Sequence, residues 1–335
     1  MQITFLTENL KLKNEVRSFV LEWENELPYI ETRTSGSTGE AKTIRIEKKY
    51  MLASAKMTGD FLQLEKDMNC LLCLSPETIG GKMMIVRTIV LEMNLLVADL
   101  SSTPLLGIEN EIHFAAMVPL QVSSSLTHSA EQVKKIGKLI IGGGVVSEEL
   151  MRAIENFPRS VYQTFGMTET ISHVAMRKLS AGEKKYTALP SVSFSEKKGE
   201  LIIDAPQLGV EKLATNDIVE LIDATSFHWV GRSDFIINSA GIKHSPEKIE
   251  QEISVFLKNN YFIVGLPDNF LGEKIVLCIE GDSVELKTST FSSILTKYQI
   301  PKEIYHFEQF LRTPSGKINR IETLKTISDA KKQIL

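Results

Sequence analysis

The apolar positions of the chain change their period several times, and each change marks an element. Between Leu10 and Glu26, the residues Leu12, Val16, Phe19, Val20 and Trp23 recur at helical spacing, which predicts an amphipathic helix. Two apolar–polar stretches, Tyr29-Ile30-Glu31-Thr32-Arg33 and Thr43-Ile44-Arg45-Ile46, flank a Gly/Ser/Thr cluster and predict two strands joined by a small-residue loop. Strand runs and helical patterns then alternate: Cys70-Leu71-Leu72-Cys73-Leu74, a helix over 82–93, Leu95-Leu96-Val97-Ala98 and Phe114-Ala115-Ala116-Met117-Val118. Leu139-Ile140-Ile141 runs into Gly142-Gly143-Gly144, and Ser147 caps a helix backed by Leu150, Met151 and Ile154. Such alternation predicts a layered α/β domain with a mostly parallel sheet.

After about residue 185 the pattern becomes strand after strand, at 200–203, 217–222, 227–231 and 234–237. From Gly241 onward it changes again, to a helix over 246–258, strands at 261–265 and 274–280, a helix near 290–298 and a basic tail. A domain boundary falls between Ser233 and Asp234, giving a large α/β domain over 1–233 and a small, mobile α+β domain over 234–335.

Composition narrows the function classes. A length of 335 residues suits about two domains, and 43% hydrophobic with 24% charged residues is globular rather than disordered. A net charge of −4 gives no footprint for nucleic acid or for a polybasic membrane contact. No apolar run approaches ~18 residues, so membrane insertion is not expected. The start, Met1-Gln2-Ile3-Thr4-Phe5, has no secretory pattern, and three cysteines make no disulfide framework, so a reducing cytoplasm is expected. Cys70-x-x-Cys73 has metal or redox spacing, yet it lies in a leucine run with no second pair and reads as a buried strand.

The stretch with the most chemistry is Thr34-Ser35-Gly36-Ser37-Thr38-Gly39-Glu40-Ala41-Lys42. Its glycines expose backbone N–H groups, its hydroxyls add donors and Lys42 adds charge, a set suited to a polyphosphate, with a flexible Ser/Gly loop as the bland alternative. It is not a Walker A loop, because Gly39 is followed by Glu40-Ala41-Lys42. It resembles instead the phosphate loop [ST]-S-G-[ST]-T-G-x-P-K of the adenylate-forming acyl-CoA synthetases, with Ala41 where proline is usual.

Four further blocks follow in the family's order. Tyr162-Gln163-Thr164-Phe165-Gly166-Met167-Thr168-Glu169 resembles Y-G-x-T-E with Phe165 for the tyrosine, which implies that Thr168 touches phosphate and Glu169 holds Mg²⁺. Thr215-Asn216-Asp217 resembles T-G-D, which implies that Asp217 binds the ribose hydroxyls. In Trp229-Val230-Gly231-Arg232-Ser233-Asp234 and on to Gly241, the resemblance makes Arg232 a ribose contact, Asp234 the hinge and Gly241 the border of the pantetheine tunnel. In Pro314-Ser315-Gly316-Lys317-Ile318-Asn319-Arg320 it makes Lys317 the catalytic lysine. Gly143, Phe165 and Gly166 join the implied nucleotide-binding set.

Within the family, the chain is similar to a short form of the o-succinylbenzoate–CoA ligases of menaquinone biosynthesis. The similarity runs through Gly80 to Arg87, Met117-Val118-Pro119-Leu120-Gln121 and Gly166 to Ala175, and longer relatives carry more chain before their phosphate loop than stands before Thr34. That substrate has an aromatic ring and two carboxylates. Lys82 and Arg87, five apart on a predicted helix, are candidates for the spectator carboxylate, against the plain reading of a solvated helix face. His173 is a candidate for the acyl pocket or a structural histidine. The resemblance implies a two-step ligase using ATP, Mg²⁺ and coenzyme A as co-substrate on a small carboxylic acid, with a homodimer left open. An enzyme loading a carrier protein, or a non-catalytic nucleotide-binding relative, are the alternatives.

Overall fold

The computed structural model describes residues 2–33, 43–144, 146–257, 259–282, 286–312 and 318–335. Its large sheet begins with six parallel strands in the order Ile3–Phe5, Asn94–Val97, Asn69–Leu72, Phe114–Met117, Lys138–Ile141 and Ser160–Gly166. His173–Lys178 then folds back antiparallel onto Ser160–Gly166. The sheet continues antiparallel through Tyr186–Ala188, Ser226–Arg232, Val210–Asp223, Glu200–Ala205 and Ser193–Lys197. A mostly parallel sheet was expected; the alternating and strand-after-strand regimes instead form one continuous sheet whose second half is antiparallel.

Burial explains why the two halves read differently. The parallel strands are covered on both faces, so Phe114–Met117 is buried throughout and reads as an apolar run. The antiparallel strand Glu200–Ala205 alternates half-buried and buried positions along its length, as a sheet with one core face should.

Three helices pack close to one face of the parallel half. Leu10–Glu24 is capped by Asn9, whose Oδ1 accepts from Leu12 N at 3.1 Å, and it buries Leu12, Val16 and Phe19. Ile79–Val90 is capped by Thr78 and is buried continuously from Gly81 to Thr88. It starts earlier than the predicted 82–93, because Thr78 caps it ahead of Gly80-Gly81. Between them, Lys48–Leu62 went unread in the sequence: its buried face includes Ser54, Thr58 and Gly59, which interrupt the apolar stripe. A Cβ on Gly59 would lie 2.8 Å from Leu91 Cδ2, so the small residue is what lets helix and neighbour approach.

The second sheet orders Ile242–His244, Ile237–Ser239, Gly272–Glu280, Glu303–Phe307 and Lys331–Ile334, with Tyr261–Asp268 on the other side of Gly272–Glu280. Three expectations change here. The strand at 234–237 is a 3₁₀ turn, Ser233–Phe235, followed by the strand Ile237–Ser239. The helix over 246–258 stops at Ile253, where the Ser254 hydroxyl donates to Gln251 O and competes with the helical pattern. The helix near 290–298 is the short Thr288–Ser292, ended in the same way by Ser292 and Ser293 bonding to Ser289 O and Thr290 O. The basic tail supplies a strand, Lys331–Ile334, which pairs antiparallel with Glu303–Phe307 and adds an ion pair of Lys332 with Glu303 at 2.9 Å.

Candidate active site

Gly143, Gly166, Thr168 and Glu169 follow the carboxyl ends of the parallel strands Lys138–Ile141 and Ser160–Gly166. In an open α/β sheet that carboxyl edge is where ligands bind, because strand ends and loops leave polar backbone uncovered there. Gly143 follows Lys138–Ile141 with φ +79°, and beside it Thr164 Oγ1 donates to Ile141 O at 3.2 Å. Ser160–Gly166 ends at Gly166, and the chain enters a 3₁₀ turn at Thr168–Thr170. Thr170 folds that turn: its hydroxyl accepts from Met167 N at 3.0 Å and lies 2.7 Å from Ser172 O.

The backbone after the turn is strained. Ile171 is a β-branched residue at φ +68°, a rare combination that persists only when the surroundings hold it. Gly166 is required for a related reason. A Cβ there would collide with the Ser172 carbonyl and approach His173 N to 2.9 Å. Gly166→Ala is expected to cost about 1–3 kcal/mol of stability by overpacking, read as a lowered urea midpoint with unchanged slope.

Thr168 is half-buried and Glu169 exposed, and neither side chain has a partner among the described residues. Glu169 therefore presents a free hard-oxygen ligand. No cluster of three or more His, Cys, Asp or Glu suited to a metal occurs among the described residues. That fits a Mg²⁺ held mainly by nucleotide phosphates with one carboxylate from the chain.

Asp217 and Arg232 lie opposite each other on neighbouring antiparallel strands. Asp217 is buried; Trp229 Nε1 donates to its Oδ1 at 2.8 Å, and Arg232 Nη1 stands 3.8 Å from its Oδ2. Burial pushes the Asp217 carboxyl up from its ordinary value, while the Trp229 indole and the Arg232 charge pull it back. Arg232 also grips Asp234 with two bonds of 2.9 and 2.8 Å across the expected hinge. Gly241 sits in a two-residue turn with Ala240, both at positive φ, between Ile237–Ser239 and Ile242–His244. Phe165 is half-buried, its ring 5.1 Å from Phe227 and 5.7 Å from Tyr186, packed against the core.

Two of the candidate sets lie outside the described residues. These are Thr34, Ser35, Gly36, Ser37, Thr38, Gly39 and Lys42, and the lysine Lys317. Their flanks are described: Arg33 pairs with Thr43, and Arg312 bridges to Ile318.

Lys82 and Arg87 do not converge. Five residues on an α-helix are about 140° of rotation, so the two side chains leave on different sides. Lys82 donates to Glu31 O at 2.7 Å, lies over the Phe19 ring and faces a cavity of about 550 Å³ walled by Lys11, Glu15 and Glu22. Mixed charges in that wall give no single ligand sign. Arg87 goes the other way and is only 2% exposed, which rules out a solvated face for it. Its Nη2 donates to Ser172 Oγ at 2.7 Å, Ser172 Oγ lies 3.3 Å from His173 Nδ1, and His173 Nε2 lies 3.0 Å from Thr58 Oγ1. Since Thr58 Oγ1 donates to Ser54 O, His173 must donate from Nε2 and accept at Nδ1. Burial, and secondarily the Arg87 charge, hold His173 well below its ordinary pKa, consistent with that neutral ring.

Among the described residues Arg87 has no carboxylate partner and its Nε no hydrogen-bond partner. Burial lowers it only to about 10, so it is charged at neutral pH. Thr58, Ser172 and Trp229 were not singled out from sequence; Thr58 lies 115 positions from His173, and no local pattern links them. Cys70 and Cys73 are buried free thiols pushed up to about 12 by burial, as a plain strand reading requires.

Comparison with known proteins identifies the family and the fold. The model of the AMP-binding enzyme family matches residues 23–201. A 2-succinylbenzoate–CoA ligase of Lactococcus lactis is 25% identical over 86% of this chain and 69% of its own length. The corresponding ligase of Staphylococcus aureus is 24% identical over 86% of this chain and 65% of its own length, so the chain spans about two thirds of these curated relatives. The structure of an acyl-CoA synthetase (AMP-forming)/AMP-acid ligase II-like protein from Dyadobacter fermentans is 34% identical, with TM-score 0.64 over 96% of this chain and 95% of that one. The o-succinylbenzoate CoA synthetase of Bacillus subtilis, solved with its acyl-adenylate, shares the fold at TM-score 0.79 and 20% identity, over 91% of this chain and 70% of that one. A family match over more than half the chain, joined to a relative at 34% identity along nearly its full length, makes this chain a member of the AMP-binding enzyme family.

Proposed function

We propose that the chain is an AMP-forming acid–thiol ligase whose acid is an aromatic dicarboxylate, o-succinylbenzoate, which it activates with ATP and passes to coenzyme A, a step of menaquinone biosynthesis. The observation that carries the substrate class is Arg87. An isolated buried cation costs several kcal/mol unless an anion meets it, and a spectator carboxylate is such an anion with bidentate geometry. Arg87 reaches Ser172, three residues beyond Glu169, so the charge lies close in sequence and space to the turn proposed for the phosphates. The names of the Lactococcus and Staphylococcus relatives support the same acid.

In this reading the 34–42 loop and Thr168 bind the phosphates, Asp217 and Arg232 the ribose, and Glu169 one face of Mg²⁺. The ion, when bound, neutralises phosphate charge. Lys317 stabilises negative charge developing on the acyl and α-phosphate oxygens. Activation makes sense chemically: a carboxylate is a poor electrophile, and adenylation supplies a good leaving group for thiol attack. Residues 1–233 form the nucleotide- and acyl-binding domain, and 234–335 swing about Asp234, removing Lys317 and bringing the Gly241 turn to the thiol.

The test is AMP release from ATP across aromatic and aliphatic acids, each with and without coenzyme A. Coenzyme-A-dependent turnover should favour o-succinylbenzoate over benzoate-type monoacids by about a hundredfold in kcat/KM, the scale of one buried charge-assisted contact. Turnover of monoacids at equal efficiency would reject the diacid, and absence of thioester with every acid would reject coenzyme A as acceptor.

A further inference from the structure

Trp229 and Arg232 are three apart on the strand Ser226–Arg232, and in a regular strand residues three apart face opposite sides. Here both reach Asp217. The register explains how. Val219 pairs with Trp229 and Ile218 with Gly231, so Val230 is an extra residue, and Asp217 then pairs with Arg232. The bulge resets the alternation, putting Trp229, Arg232, Val219 and Asp217 on one face. Bulges next to functional side chains re-aim them. The outcome is a carboxylate with its two oxygens in different environments. Oδ1 is held at 2.8 Å by an indole N–H that can only donate, and Oδ2 has Arg232 at 3.8 Å, longer than a hydrogen bond.

We infer that Trp229 is a positioning residue: through the Val230 bulge it locks Oδ1 of Asp217 and so leaves Oδ2 fixed in orientation to accept from the vicinal diol of a ribonucleotide. This rests on the proposed role of Asp217 as the ribose acceptor. The indole is suited to the task because it is rigid, half-buried against the core and has no acceptor to compete with the ribose hydroxyls. Without it, Oδ1 loses its 2.8 Å donor and the carboxylate is left with Arg232 at 3.8 Å, because the Thr215 hydroxyl donates to Leu201 O. Sugar recognition would then lose its preorganised geometry rather than its charge.

The experiment measures AMP, 2′-deoxy-AMP and 3′-deoxy-AMP binding by calorimetry to the full chain, to Trp229→Phe and to Asp217→Asn. Trp229→Phe should weaken AMP about tenfold and each deoxynucleotide less than about threefold, narrowing the ribose preference. Equal weakening of all three, or none, overturns the inference, because packing alone would not distinguish sugars. Asp217→Asn should abolish the preference; if it does not, the ribose role of Asp217 fails, and that outcome is separable from failure at Trp229. The native chain gives a second readout that survives misfolding of the variant. Of its two indole N–H resonances, assigned through Trp23→Phe, that of Trp229 should shift on adding AMP and not on adding pyrophosphate. An unmoved Trp229 resonance overturns the inference.

Discussion

Arg87→Met should raise KM for o-succinylbenzoate by about a hundredfold or more, change kinetics with a monocarboxylic analogue by less than about threefold, and leave the ligand-free protein as stable as before or more so. The combination is what makes the result diagnostic. A buried charge with no counter-ion destabilises the protein that holds it, and an apolar residue of similar volume removes that cost. Met84 already stands beside the guanidinium, its Sδ 3.7 Å from Nη1, so a thioether fits the surroundings. Ser172 keeps a partner in His173 when the arginine is gone. A structural arginine would behave in reverse: its loss would lower the melting temperature and damage both acids alike. Equal effects on diacid and monoacid would sink the carboxylate role, whatever the stability. Lys82→Met should not share the specificity effect, since its side chain leaves the helix about 140° away from Arg87 and donates to Glu31 O.

That contrast also shows what the sequence could and could not reveal. The helix holding both residues was legible as a pattern over 82–93, though its start at Ile79 was not, and so was the chemical type of each side chain. Their divergence follows from helical rotation alone, yet which of the two was fully buried against polar partners depended on what packed around them. Ser172, His173 and Thr58 come from a strand end and a helix far away in sequence. The parallel strands were legible because burial on both faces leaves continuous apolar runs, as in Lys138–Ile141. Lys48–Leu62 was not, because Ser54, Thr58 and Gly59 replace apolar residues on its buried face. Trp229 stood within a motif that was read for Arg232 and Asp234. Its own role required the one-residue bulge at Val230, and register is a pairwise property that a single strand does not encode.

Lys317→Ala should reduce acyl-adenylate formation about a hundred- to a thousandfold, while thioester formation from supplied acyl adenylate and coenzyme A stays within about threefold of the native rate. The asymmetry follows from where charge appears. Displacement at the α-phosphorus brings an anionic carboxylate against the anionic α-phosphate oxygens and builds charge on the leaving oxygen, and an ammonium there stabilises this crowding of charge; thiol attack on the finished adenylate has no need of the same group. Contacts across the proposed hinge give that division a mechanical basis. Arg232 grips Asp234 at the hinge, Ser245 Oγ donates to Val230 O at 3.1 Å, and Gln251 bonds to Glu148. All three involve hydrogen bonds between polar groups rather than an apolar seam, so they can be exchanged for water or for another set at small net cost. Contacts of this kind suit the proposed swing about Asp234. If both half-reactions fell together in Lys317→Ala, the lysine would be holding the fold or the shared acyl pocket, and a swing that removes it between steps would have no kinetic purpose.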